Sequence, residues 1–146
     1  MQTYAEYNFK EKIAIVTGAS RGIGKQICRD LLDSGCRVLG TFSKNEVAAE
    51  DCRQDFKLFG TNFILRKSDV SVKSEAAENF SHAKKLWGNH ACFLVNNAGI
   101  LSQENFLNLS VEAWDNTMKI NVRGAFLLSQ SFIQQCNSSG SIVNIS

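Results

Sequence analysis

Five short runs rich in Val, Ile, Leu and Phe alternate with four amphipathic stretches, and this rhythm leaves few architectures open. The apolar runs are residues 12–17, 36–42, 62–67, 91–96 and 141–146. Their length and their Gly or Asn boundaries predict buried strands. Between them, 22–34 carries Ile23, Ile27, Leu31 and Leu32 at helical spacing, and 45–59 carries Val47, Phe56 and Phe59. Residues 72–87 carry Ala76, Phe80, Ala83 and Trp87, and 111–136 form the longest helical pattern. Gly35 and Gly88 stand where two of these helices should stop. Parallel strands need crossover helices, and right-handed crossovers put those helices on both faces of the sheet. The prediction is one α/β domain, a doubly wound parallel sheet of five strands and four helices. Residues 141–146 read as a strand buried on both faces, with no helix after it to cover it. So apolar an edge strand invites mispairing, so the expectation is a domain, 1–146, truncated at the end of the fifth strand.

The first strand runs straight into Thr17-Gly18-Ala19-Ser20-Arg21-Gly22-Ile23-Gly24 and then a helix. A phosphate site needs small residues there. Glycine lets the backbone come close to a phosphate, and the helix N-terminus offers free N–H groups with partial positive charge. Glycines at a strand–helix junction can also serve the turn alone, but the flanking strand and helix favour the phosphate reading.

Composition narrows the partners. Net charge is +2 and no basic run exceeds two residues, which argues against nucleic acid or an anionic membrane. Nothing approaches the ~18–20 apolar residues of a membrane span. Residues 1–12 lack an apolar secretory core and include Glu6 and Glu11, so a soluble, cytoplasmic protein is expected. Five cysteines at wide, unpaired spacings fit buried thiols better than a disulfide framework or a zinc site. His82 and His90 match no metal or nucleophile pattern, so no metal is expected.

The spacing T-G-x-x-x-G-x-G, together with Asn96-Asn97-Ala98-Gly99 after the fourth strand, resembles the short-chain dehydrogenase/reductase family. Within that family, residues 9–24 are most similar to 3-oxoacyl-[acyl-carrier-protein] reductases. The likeness extends from residue 12 to residue 146. It implies a Rossmann-like fold and an oxidoreductase that reduces a small-molecule or carrier-bound carbonyl, with a 3-oxoacyl thioester as the model substrate and fatty acid biosynthesis as the setting. It places the cofactor along Gly18, Ser20, Arg21, Gly22, Ile23 and Gly24. Asp69 and Val70 match the pair that meets the adenine ring, although Asp69 or Ser71 could equally cap the next helix. Asn97, Ala98 and Gly99 match the turn beside the cofactor ribose. Asn121 takes the place of the family's helix asparagine, which breaks the helical hydrogen-bond pattern and positions a relay water.

Cofactor type is read at the end of the second strand. An acid there binds the ribose 2′-hydroxyl of NAD and repels a 2′-phosphate. Thr41 stands at the expected acid position, followed by Ser43 and Lys44, with Arg21 in the glycine loop. A missing acid and two available cations favour NADP(H) over NAD(H). The family's catalytic Tyr-x-x-x-Lys pair is absent, since Tyr4 and Tyr7 are N-terminal and followed at the fourth position by Asn8 and Glu11. Ser146 aligns with the first serine of the family's I-S-S stretch, one residue short of the catalytic one. The 146 residues alone are therefore expected to be inactive. The resemblance also implies a homo-oligomer, dimer or tetramer; 111–136 is more apolar than covering one sheet face requires, which a dimer interface or a missing neighbour helix would equally explain. The alternative is a non-catalytic nucleotide-binding or oligomerisation module. A third reading, the extended branch of the same superfamily, favours T-G-x-x-G-x-x-G, which this loop does not show.

Overall fold

The computed structural model describes residues 8–136 and 139–146, so Tyr4 and Tyr7 lie outside the described residues. Five parallel strands, β1 (Ile13–Val16), β2 (Arg37–Phe42), β3 (Phe63–Lys67), β4 (Phe93–Asn96) and β5 (Ser141–Asn144), form one sheet in the order β3-β2-β1-β4-β5. The order reverses between β1 and β4. A sheet wound outward in both directions leaves a crevice at the carboxyl ends of those strands.

Strand alternation sorts the core into two layers. Ala14 and Val16 of β1 face one side, where α1 (Gly22–Asp33) and α2 (Glu46–Asp55) bury Cys28, Leu32, Ala49 and Cys52. Ile13 and Ile15 face the other, where α3 (Lys73–Trp87) and α5 (Gly124–Gln135) bury Ala76, Phe80, Leu128 and Phe132. All four residues of β1 are fully buried, as expected of a central strand covered on both faces.

Burial corrects two of the expected faces. Ile23 is 64% exposed, because α1 turns Gly24, Cys28 and Leu32 inward and Ile23 towards the crevice. Val47 is 74% exposed, since α2 packs through Ala49 and Cys52. That helix also ends at Asp55, four residues earlier than expected, and a 3₁₀ segment (Lys57–Asn62) broken at Gly60 carries the chain into β3. Phe56 and Phe59 still reach the core, with Phe56 edge-on to Phe63 at 4.7 Å.

The long helical pattern is one run with an irregularity inside it. It comprises α4 (Val111–Met118), a π turn (Lys119–Arg123) and α5, and Met118, Lys119, Arg123 and Gly124 all keep helical angles. The expected fourth helix is therefore two α-helices joined by a wider turn. β5 is the uncovered strand expected from the sequence, two residues shorter at its end. It lies at the sheet edge, where Ile142 packs inward while Val143 is 49% exposed and nothing among the described residues covers its outer face.

The five cysteines carry no disulfide, and Cys28, Cys36 and Cys52 are buried. Burial pushes the Cys36 thiol up to about 12, so it stays protonated and unreactive at neutral pH. Trp87 donates from Nε1 to the Thr61 carbonyl at 3.0 Å at the core's edge, and Trp114 is half exposed. Among the described residues no helix is long and apolar enough to cross a membrane, and no group of three or more His, Cys, Asp or Glu could hold a metal.

Candidate functional site

Thr17 is the pin of the site. Its Oγ1 accepts from the N–H groups of Asn97 (3.0 Å) and Ala98 (2.9 Å), so the loop after β1 and the loop after β4 are joined at one atom. Asn97 Nδ2 returns the contact, donating to the carbonyls of Thr17 (2.9 Å) and Gly18 (3.1 Å). Two motifs eighty residues apart in the chain thus become one rigid floor.

That floor tolerates only glycine at two points. A Cβ on Gly24 would lie 2.2 Å from the Gly18 carbonyl oxygen, and Gly18 itself has φ +64°. A Cβ on Gly18 would stand 3.0 Å from the Ala98 Cα. The close packing leaves the N-terminus of α1 open. Arg21 precedes it without a side-chain cap, and its first turn holds no acid. Helices α2 and α4, by contrast, are capped by Asn45 and Ser110. The N–H groups at the start of α1 are therefore available to an anion.

A cleft of about 620 Å³ opens over this floor at the crevice. It is lined by all thirteen residues assigned to the cofactor from sequence: Gly18, Ser20, Arg21, Gly22, Ile23, Gly24, Thr41, Ser43, Asp69, Val70, Asn97, Ala98 and Gly99. Lys44 lines it too. These residues fit a dinucleotide. The glycine cradle and uncapped helix suit a pyrophosphate, and Arg21, Ser43 and Lys44 are exposed on the wall. Thr41 Oγ1 is buried at the same wall without a hydrogen-bond partner among the described residues. Thr41 is only 1% exposed, so the first exposed polar side chain beyond β2 is that of Ser43.

Asp69 does not cap α3, which begins after Val72. Its Oδ1 instead accepts from Ser71 N–H (2.9 Å) and Ser71 Oγ–H (2.7 Å). Burial pushes the Asp69 carboxyl up, but the two Ser71 hydrogen bonds, with Lys119 and Lys44 nearby, outweigh it and hold the group below the ordinary carboxylate value. It is an ionised acceptor at neutral pH.

The family model for short chain dehydrogenases matches residues 12–146. The chain belongs to the short-chain dehydrogenase family. It is 34% identical over 145 residues to a short-chain type dehydrogenase/reductase of Picea abies, covering 92% of this chain and 53% of that protein. A short-chain dehydrogenase from Burkholderia cenocepacia, solved in complex with NADP, superposes with a TM-score of 0.85 at 28% identity, over 94% of this chain and 56% of that one. A blue fluorescent protein from a metagenomic library, solved with NADPH, gives 0.84 at 29% identity, over 95% and 57%. The chain spans about half the length of the curated relatives it matches.

In this short-chain dehydrogenase chain Asn121 does not line that cleft. It lies in the π turn and lines an adjoining cavity of about 780 Å³ with Asn96, Ser129, Asn144 and Ser146. Its amide grips Ile100 twice, Oδ1 accepting from the N–H and Nδ2 donating to the carbonyl, both at 2.8 Å. Widened turns of this kind recur at functional sites. Asn121→Ala removes both bonds. The Ile100 amide is expected to exchange with solvent about tenfold faster or more, for a loss of ~1–3 kcal/mol. Unchanged exchange at Ile100 would show that the clamp is idle.

Sequence reading missed several residues that shape the site. Gly40 admits the loop, because a Cβ there would lie 2.7 Å from the Ala19 Cβ. Gly124 lets the start of α5 rest on Val70, whose Cγ2 would be 2.7 Å from an added Cβ. Asn116 and Ile120, one turn apart on the last helical run, also line the cleft. The glycines carried a signal, an interruption in an apolar run. The two helix residues carried none.

Proposed function

We propose that this chain binds NADP(H) in the 620 Å³ cleft and serves the reduction of a carbonyl to a hydroxyl. The observation that carries the reading is the convergence of Arg21, Ser43 and Lys44 on a cleft whose second-strand wall presents no acid. Uncapped N–H groups of α1 take the pyrophosphate, Arg21 and Lys44 pair with the 2′-phosphate, and the Asp69 carboxylate accepts from the adenine amino group. Asn97, Ala98 and Gly99 flank the nicotinamide ribose. When bound, the nicotinamide supplies a hydride to the substrate carbon. Asn121, through Ile100, shapes the adjoining cavity and is assigned to the proton relay. The resemblance of residues 9–24 makes a 3-oxoacyl thioester the first substrate to test, with fatty acid biosynthesis and a cytoplasmic setting as part of the same proposal.

The second reading, a non-catalytic nucleotide-binding module, is favoured by one fact: residues 1–146 contain no Tyr-x-x-x-Lys pair. General acid catalysis alone is worth ~10²–10⁴-fold. The 146-residue polypeptide is therefore expected to bind NADPH in a calorimetric titration while oxidising none of it with 3-oxoacyl thioesters. Robust turnover would overturn the assignment of the missing acid. No binding would overturn the cofactor reading.

Self-association belongs to the proposal as well. Val111, Trp114, Val122, Phe126 and Ile133 are each at least half exposed along the last helical run. Sedimentation should show a dimer or tetramer that Phe126→Glu reduces to monomers, and an unaltered mass distribution would rule this face out.

A further inference from the structure

We propose that Glu75 and Asn79 of α3 are positioning residues for the base-binding segment 68–70, an inference that rests on the NADP(H) reading. The two side chains are one helical turn apart and grip consecutive residues. Asn79 Nδ2 donates to Ser68 Oγ at 2.9 Å, and Glu75 accepts from the Asp69 N–H at 2.7 Å. Ser68 N–H is itself tied to the Phe42 carbonyl at 2.8 Å. The segment is thus fixed to β2 on one side and to α3 on the other. From there the Ser71 bonds orient the Asp69 carboxylate. Ser68, Asp69 and Val70 all line the cleft, whereas neither Glu75 nor Asn79 does.

Asn79 is a poor choice for stability. It is fully buried in the layer that also holds Ala76, Phe80 and Ala83, and its Oδ1 has no partner among the described residues. A buried, unpartnered acceptor lowers stability, so an apolar side chain of similar size would suit the packing better. What asparagine supplies is the N–H to Ser68. The cost to the fold and the benefit to the loop therefore separate in experiment.

Asn79→Leu in the full chain is expected to weaken NADPH and adenosine 2′,5′-bisphosphate alike, about five- to tenfold in calorimetric titration, as loss of one hydrogen bond's worth of alignment implies. The melting temperature without ligand should hold or rise. Ser68→Ala, which leaves α3 intact, should give the same loss, and the double variant no further loss. Glu75→Gln keeps an acceptor for the Asp69 N–H and should bind like the parent, whereas Glu75→Leu should not. Unchanged affinity in Asn79→Leu and Ser68→Ala, or affinity and melting temperature falling together in both, overturns the proposal. A parent chain that binds neither ligand overturns the cofactor reading, and this inference with it.

Discussion

Gly24→Val is expected to weaken NADPH binding by about a hundredfold and to destabilise the chain by ~1–3 kcal/mol or more. The reason lies in backbone, not in a movable side chain. A Cβ at Gly24 meets the Gly18 carbonyl oxygen at 2.2 Å and the Asn97 Nδ2 at 2.5 Å, and the second of these is tied to Thr17 and Gly18. Relief requires α1 to move off the strand, which carries its N–H groups away from any phosphate they would bind. Gly18→Val should act in the same direction, because φ +64° disfavours a β-branched residue and Ala98 Cα is 3.0 Å from the new Cβ. Thermal melts and NADPH titrations of both variants measure the two effects together. Parental affinity in both would remove the glycine cradle from the cofactor site.

Arg21→Ser combined with Ser43→Asp is expected to reverse cofactor preference from NADPH to NADH. A charge-assisted hydrogen bond is worth ~1.5–3 kcal/mol, which corresponds to a parental preference of about ten- to a hundredfold for NADPH. The double variant removes that attraction and adds repulsion against a 2′-phosphate. Thr41 is the less suitable site for the acid despite its place at the strand end, since at 1% exposure a carboxylate there would be desolvated. Ser43 is exposed at the cleft and next to Lys44. Added salt screens exposed charges, so the parental preference should narrow as ionic strength rises. A parent that prefers NADH, or a double variant that keeps its NADPH preference, would falsify the assignment of Arg21.

Strand and helix alternation, the glycine spacing and the polar residues after β2 and β3 were legible because each is a local pattern. Hydrophobic period and turn chemistry act over a few residues, and the chain writes them directly. That was enough to reach the α/β sheet, the glycine turn before α1 and the thirteen residues that line the cleft. It was not enough to orient every helix. Ile23 and Val47 fit the helical spacing of their stretches, yet they face outward, because which side of a helix is buried depends on the sheet it meets.

What only the tertiary structure decided were relations between distant segments. Thr17 Oγ1 joins two loops eighty residues apart, the Asn121 amide closes on Ile100 through a π turn, and Gly124 admits Val70. Asn79 looks like one polar residue in a helix until Ser68 is found beside it. Hydrogen bonds and close packing act over a few ångströms in space without regard to separation along the chain. The sequence by itself therefore determined the order of the strands and helical stretches and the chemistry of each loop. The partners those loops acquire, and the residues that hold them in place, were decided when the sheet brought them together.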